Sequence, residues 1–363
     1  MRFFKKIDNR KIITVGSIIG ICFLLTTCKI FRLEVFINDT IEQVQTAEHF
    51  LDRGIRFASK GEYQKAIADF TEALKLDQEM SKAYLLRGRA YYAIVSNVIA
   101  VDKNFEHVHV LFYAGRQLNK EEQCAYEQAI TDFTETIRLD ENNAVAYLDR
   151  GDIYVHKGDY DKAIADYTNA IELKPQYARA YNNRGNAYAF KGDTDKAIAD
   201  YTQAIKHDPN FSYPYINRGY SYLNEDDYDK AIADYTEAIR LDPNLVHPYH
   251  NRGIAYYEKQ DYYRAITDFT EAIQLDPNLA VAYYNRGSVY LEKKDYDKAI
   301  TDYTEAIQLD PNFAIAYNNR GCAYYEKKDY DKAITDFTEA IRLDPNDLDY
   351  KQNLENALRQ QGR

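Results

Sequence analysis

Five asparagines stand 34 residues apart: Asn183, Asn217, Asn251, Asn285 and Asn319. A carboxamide offers one acceptor and two donor hydrogens, so each can hold both the C=O and the N–H of an extended chain without reading its side chains. The places beside this row vary. The residue before each Asn is Asn182, Ile216, His250, Tyr284 or Asn318, and four places before it stand Arg179, Tyr213, His247, Val281 and Ile315. The row, with Tyr213, His250 and Tyr284 beside it, is the candidate peptide-binding set: amides for the main chain, neighbours for pockets. Hydrogen bonding to an adjacent helix is the other use such amides can have.

A second pattern joins opposite charges. Arg53 and Asp69, Arg150 and Asp166, Arg184 and Asp200, Arg218 and Asp234, Arg252 and Asp268, Arg286 and Asp302, and Arg320 and Asp336 are each separated by 16 residues. Charges recurring in register on paired helices predict bidentate ion pairs that fix packing. Catalytic constellations are missing from the sequence. It has no glycine-rich phosphate loop, no HExxH and no cysteine pairs at zinc spacing. His247 and His250 are neighbours on one helix, and His107 and His109 are close in sequence, but neither pair has a third ligand or a supporting shell. The reading is non-enzymatic, with no metal, cofactor or small-molecule substrate. A net charge of −11 argues against nucleic acid. The 35 tyrosines fall mostly at packing places rather than forming a base-stacking platform.

The elements that carry these residues follow from one period. An Arg-Gly pair recurs at Arg53, Arg87, Arg150, Arg184, Arg218, Arg252, Arg286 and Arg320, always 34 residues apart except for one interval of 63. A period of this length means stacked copies of one small unit. In residues 178–211, Tyr181, Gly185, Tyr188 and Ala189 make one helical stripe, and Ala197, Ile198, Tyr201, Ala204 and Ile205 make another. Gly192 marks the turn between them, and Asp208-Pro209-Asn210 closes the second helix. The small residues let two backbones approach closely while the tyrosines fill the space beside them.

This helix–turn–helix resembles the tetratricopeptide repeat, with Tyr at the first aromatic place and Arg where that family usually has Leu. The resemblance implies an all-α, right-handed superhelical solenoid of about eight to nine repeats, whose first helices line a concave face. Repeats start at 144, 178, 212, 246, 280 and 314, and a weaker one at 47. Residues 81–143 are irregular. They read as a shortened repeat at 81–109 and a degenerate one at 110–143, or else as one repeat carrying a 29-residue insertion. Residues 347–363 read as a capping helix with Tyr350, Leu354, Ala357 and Leu358 on one face. The array thus spans residues 47–346. Its asparagine row is similar to the ladder in the repeat domain of eukaryotic O-linked N-acetylglucosamine transferases, from which only the binding mode is carried over. The carboxylate clamp of some tetratricopeptide chaperone adaptors fits less well. Arg179, Asn183 and Asn217 match its first part, but His247 and Asn251 stand where cations belong.

Residues 1–29 differ from the rest. Arg2, Lys5, Lys6, Arg10 and Lys11 precede an uncharged run at 12–28 that Lys29 ends. Such a segment is a secretory signal or a membrane anchor. Leu25-Thr26-Thr27-Cys28 also resembles a bacterial lipoprotein box, which would make Cys28 the site of lipid attachment. Either way the basic excess before the segment places the repeats away from the cytoplasm, beyond a tether at 30–46. The expected function is a non-catalytic scaffold that binds a peptide or protein along its concave face. The alternative is a structural factor of a secretion or envelope assembly that works through its outer face.

Overall fold

The computed structural model describes residues 46–96 and 119–362. The expected anchor at 1–29, Cys28, nearly all of the tether, and His107 and His109 lie outside these residues. Among the described residues all regular structure is helical, in seventeen α-helices, and none is long and apolar enough to cross a membrane. They fall into two compact bodies. One comprises residues 46–96 with Cys124–Leu139, the other residues 119–123 with 140–362.

The larger body holds six helix pairs, from Ala144–His156 with Tyr160–Leu173 to Ala314–Glu326 with Tyr330–Leu343, followed by the Leu348–Gln361 helix. Within a pair, the turn needs one residue of positive φ. Gly192 supplies it at φ 80°, whereas Gln260 and Lys294 adopt it at 60° without glycine's freedom. The second helix ends where Asp208 turns extended and its carboxylate accepts the Asn210 N–H at 3.1 Å. The same device closes the helices before Asp242, Asp276, Asp310 and Asp344.

Close approach sets the packing inside each pair. Gly253 lies so near the Phe269 ring that a Cβ would stand 2.8 Å from its Cε1. Rings at this second-helix place are fully buried throughout: Phe70, Phe133, Tyr167, Tyr201, Tyr235, Phe269, Tyr303 and Phe337. The expected arginine–aspartate pairs are present at all seven predicted places, each a two-pronged contact; Arg252 Nε and Nη2 reach the two oxygens of Asp268 at 2.8 Å. The free Nη1 has a further use that the pattern did not foretell. Arg252 Nη1 donates to Thr236 Oγ1 at 3.0 Å on the second helix of the preceding repeat. Thr236 spends its own proton on the Ile232 carbonyl, which fixes the rotamer that accepts. Arg184, Arg218, Arg286 and Arg320 repeat this bond.

In the smaller body, Ala47–Ala58 pairs with Tyr63–Leu76, and Ser81–Ser96 packs on that pair. Arg87 makes the two-pronged contact with Asp132, at 2.7 and 2.9 Å, across 45 residues of sequence rather than 16. Gly88 meets the Phe133 ring just as Gly151 meets Tyr167. Ser81–Ser96 and Lys120–Leu139 are therefore the two helices of a single repeat with 29 extra residues between them. This replaces the reading of a shortened repeat followed by a degenerate one: the partner of Arg87 is fixed by ion-pair geometry, which periodicity alone does not report.

Gly253→Ala should cost about 1–3 kcal/mol, because the Phe269 ring is walled in and has to move. Urea denaturation of the full chain measures this, and a loss below roughly 0.5 kcal/mol would mean the ring yields freely.

Candidate peptide-binding face

First helices of successive repeats touch one another along the larger body, so the asparagine row runs across adjacent helices. The structure places its members at these junctions. Asn183 is buried and its Nδ2 donates to Asp152 Oδ1 at 2.8 Å. Asn217 Nδ2 donates to both Asn182 Oδ1 and Asn186 Oδ1 at 3.0 Å. Asn285 Nδ2 reaches His250 Nε2 at 2.9 Å, and Asn319 Nδ2 donates to the Tyr284 hydroxyl at 3.1 Å. Four of the five amides thus send a donor back to the preceding repeat and act as junction fasteners. Asn251 is different: its Oδ1 takes the His250 Nδ1 proton at 3.2 Å, and its amide lies beside the buried Tyr235 hydroxyl of the preceding repeat, whose ionisation it eases.

The three neighbouring residues also lie at this surface. His250 is half-buried beside the Phe269 ring, at 5.7 Å between centroids, and burial lowers its pKa, so the imidazole is neutral. Tyr284 sits between Tyr303 and Phe313 at 5.8 and 5.0 Å. Tyr213 packs edge-on to Phe211 and stays partly open. No three His, Cys, Asp or Glu side chains are grouped to hold a metal among the described residues. Cys322 is pushed up to about 11 by burial, and Cys124 is exposed.

Two members of the row escaped the sequence reading. Asn353, on the capping helix, donates to Asn318 Oδ1 at 2.9 Å and continues the row by one place. At its other end Asp149 takes the Asn place, and three residues on Asp152 is fully buried. Asp152 receives Tyr167 OH, Arg179 Nη2 and Asn183 Nδ2, all at 2.8 Å. Extending the 34-residue count one repeat each way would have found Asp149 and Asn353. The charge partnership was hidden because Arg179 and Asp152 are 27 residues apart, off the period. With Arg179 held by Asp152, the cation that a carboxylate clamp would use is already taken.

Comparison with known proteins settles the family. A TPR repeat model matches residues 151–191, 219–260 and 255–294, and tetratricopeptide repeat models match 51–96, 178–211, 200–233, 280–313 and 314–347. The chain belongs to the tetratricopeptide repeat family. Among curated proteins no significant match is found. Solved tetratricopeptide-like structures share the all-α solenoid fold. PilF of Pseudomonas aeruginosa is 20% identical with a TM-score of 0.52, over 59% of this chain and 96% of that one. The C-terminal part of a TPR repeat-containing protein from Cytophaga hutchinsonii is 21% identical at 0.52, over 64% and 96%. The Cut9–Hcn1 hetero-tetramer of APC/C is 18% identical at 0.51, over 86% and 76%. Tetratricopeptide arrays serve generally as protein–protein interaction scaffolds, and these likenesses establish the fold.

Burial raises the Asp152 carboxyl from 3.8 to about 6 against the pull of Arg179, with the nearby Asp149 adding to the rise. The folded state therefore holds this proton more tightly than the unfolded chain does, and stability falls as pH rises from about 4 to about 6. In Asp152→Asn this fall should be missing. The difference between wild type and variant, from urea denaturation at each pH, should change by up to roughly 3 kcal/mol over that window. Parallel profiles would contradict the burial of an ionising carboxylate.

Proposed function

We propose that this tetratricopeptide protein is a non-catalytic scaffold that binds an extended peptide or protein segment along its first-helix, concave face. The observation that carries this reading is where large apolar side chains remain uncovered on first helices. Tyr220 is 54% exposed and Ile315 40% exposed, on helices whose polar row is otherwise occupied with packing. Second helices repeat nearly the same sequence and spend it on Arg–Asp pairs and ring burial, and apart from Tyr263 their exposed large apolar residues are the leucines at their C-terminal ends, Leu76, Leu173, Leu275 and Leu309. Surface that varies from repeat to repeat is where selectivity is written, since each rung adds a modest share of the binding energy. Tyr213, His250 and Tyr284 would line the pockets, with the row of Asn183, Asn217, Asn251, Asn285 and Asn319 beneath. The N-terminal sequence supports attachment to a membrane, through an anchor or a lipid on Cys28, with the repeats facing away from the cytoplasm. The acidic net charge supports a protein partner over nucleic acid.

One exposed residue favours the outer face as a second reading. Tyr263, on a second helix, is 80% exposed where most other repeats carry Asp. Selection of displayed random peptides on the full chain separates the two. Binders should lose affinity for Tyr213→Ala and Ile315→Ala while keeping it for Tyr263→Ala. The reverse pattern would move function to the outer face and support the assembly-factor reading.

A further inference from the structure

Along the turn edge, where each first helix ends and its second helix begins, neighbouring repeats are joined by a ladder distinct from the asparagine row. The fourteenth residue of one repeat reaches back 30 places to the eighteenth of the repeat before it. Lys191 meets Asp161, Lys259 meets Asp229, Lys327 meets Asp297, and at the cap Gln361 meets Asp331. Two rungs depart from this rule. Asp195 and Glu225 put two exposed carboxylates on one rung, and the turn continues with Asp226 and Asp227. Tyr263 and Lys293 occupy the other. Tyr263 is 80% exposed, and the Lys293 ammonium, with Lys294 beside it, has no ion pair among the described residues.

These departures are opposite in character and evenly placed. The intact Asp229–Lys259 rung lies between them, one rung from each. Neither departure finds relief inside the chain. The lysines nearest the acidic rung, Lys196 and Lys230, are held by Asp193 and Asp227. The carboxylates nearest Lys293, those of Asp295 and Asp297, are held by Lys298 and Lys327. Reversing the edge about the Asp229–Lys259 rung brings base to where acid stood and acid to where base stood. A surface that becomes its own complement on half a turn is what an isologous twofold contact requires.

We propose that the chain self-associates through this edge as a twofold dimer. Lys293 and Lys294 of each copy meet the partner's Asp195 and Glu225, and the Tyr263 phenol donates to one of those carboxylates while its ring is covered. Exposed ion pairs contribute little by themselves, so Tyr263 supplies most of the affinity and the charges fix the register. A parallel arrangement would match the same rungs only after a slide of two repeats. It would leave unmatched rungs at each end and grow into a filament instead of closing. The dimer uses none of the first-helix row and stands apart from the peptide-binding reading.

Sedimentation velocity of the full chain over a range of concentrations, in a mild detergent that disperses the apolar N-terminal segment, reads the assembly. Wild type should show a monomer–dimer equilibrium. Lys293→Glu and Glu225→Lys should each weaken it about tenfold or more, because the symmetry sets like charges against each other twice. Mixing the two variants should restore the dimer, since each then offers the charge that the other lacks. Tyr263→Ala should weaken association by a similar factor, about tenfold. Lys206→Glu, the same change of net charge away from this edge, should leave it within about twofold. All four places are exposed, so urea midpoints should not fall. A wild-type chain that stays monomeric would overturn the dimer. So would association that survives Lys293→Glu, a mixture that stays apart, or an open series of larger species.

Discussion

Register in this molecule hangs on the arginine that follows each first-helix tyrosine. One guanidinium grips an aspartate on its own second helix with two prongs, touches a threonine one repeat earlier, and lies over a tyrosine ring. Three elements are fixed by one planar, permanently charged group, which an ammonium could not match. The arrangement has a cost. Burial holds the carboxyls of Asp132, Asp166, Asp234 and Asp268 above their ordinary range despite the guanidinium beside them. Desolvation therefore offsets much of the attraction, and the pair acts mainly by penalising every other register, where a buried charge would stand alone.

Once the pairs and the glycine–ring contacts have set the helices, the remaining chemistry is confined to the first helices. Most polar groups there are spent on the junctions between repeats. The amide row, which by its chemistry could read a main chain, is largely turned on its own array, through acceptors as different as Asp152, Asn182, His250 and Tyr284. Divergence beside the row is thus partly divergence of acceptors that serve the same bond. Where Ile216 and Tyr220 stand in the acceptor places, Asn251 turns instead to His250 and to the buried Tyr235 hydroxyl.

Much of this was legible in the sequence because the repeat amplifies weak signals. Arg-Gly spacing gave the helix pairs, and the 16-residue Arg–Asp interval gave the ion pairs to the residue. What stayed hidden were contacts that cross the period. Arg87 reaches Asp132 over an insertion, Arg179 meets Asp152 at 27 residues, and Asn183, Asn217, Asn285 and Asn319 find partners 31 or 35 residues back. These depend on how first helices sit against one another, a matter of packing angle that periodicity does not encode. The asparagines could be recognised as a row, but whether their donors pointed outward or to the next helix depended on side-chain direction.

The central claim, that the buried pair enforces register, is tested most directly by a double-mutant cycle on Arg286 and Asp302 in the full chain. Arg286→Met and Asp302→Leu should each destabilise by about 3–5 kcal/mol, each leaving one buried charge without its partner. The double variant should cost far less than their sum, with a coupling of several kcal/mol. Additivity within roughly 0.5 kcal/mol would mean the two charges act independently, and the arginine would then be a packing residue and not the element that sets the stack.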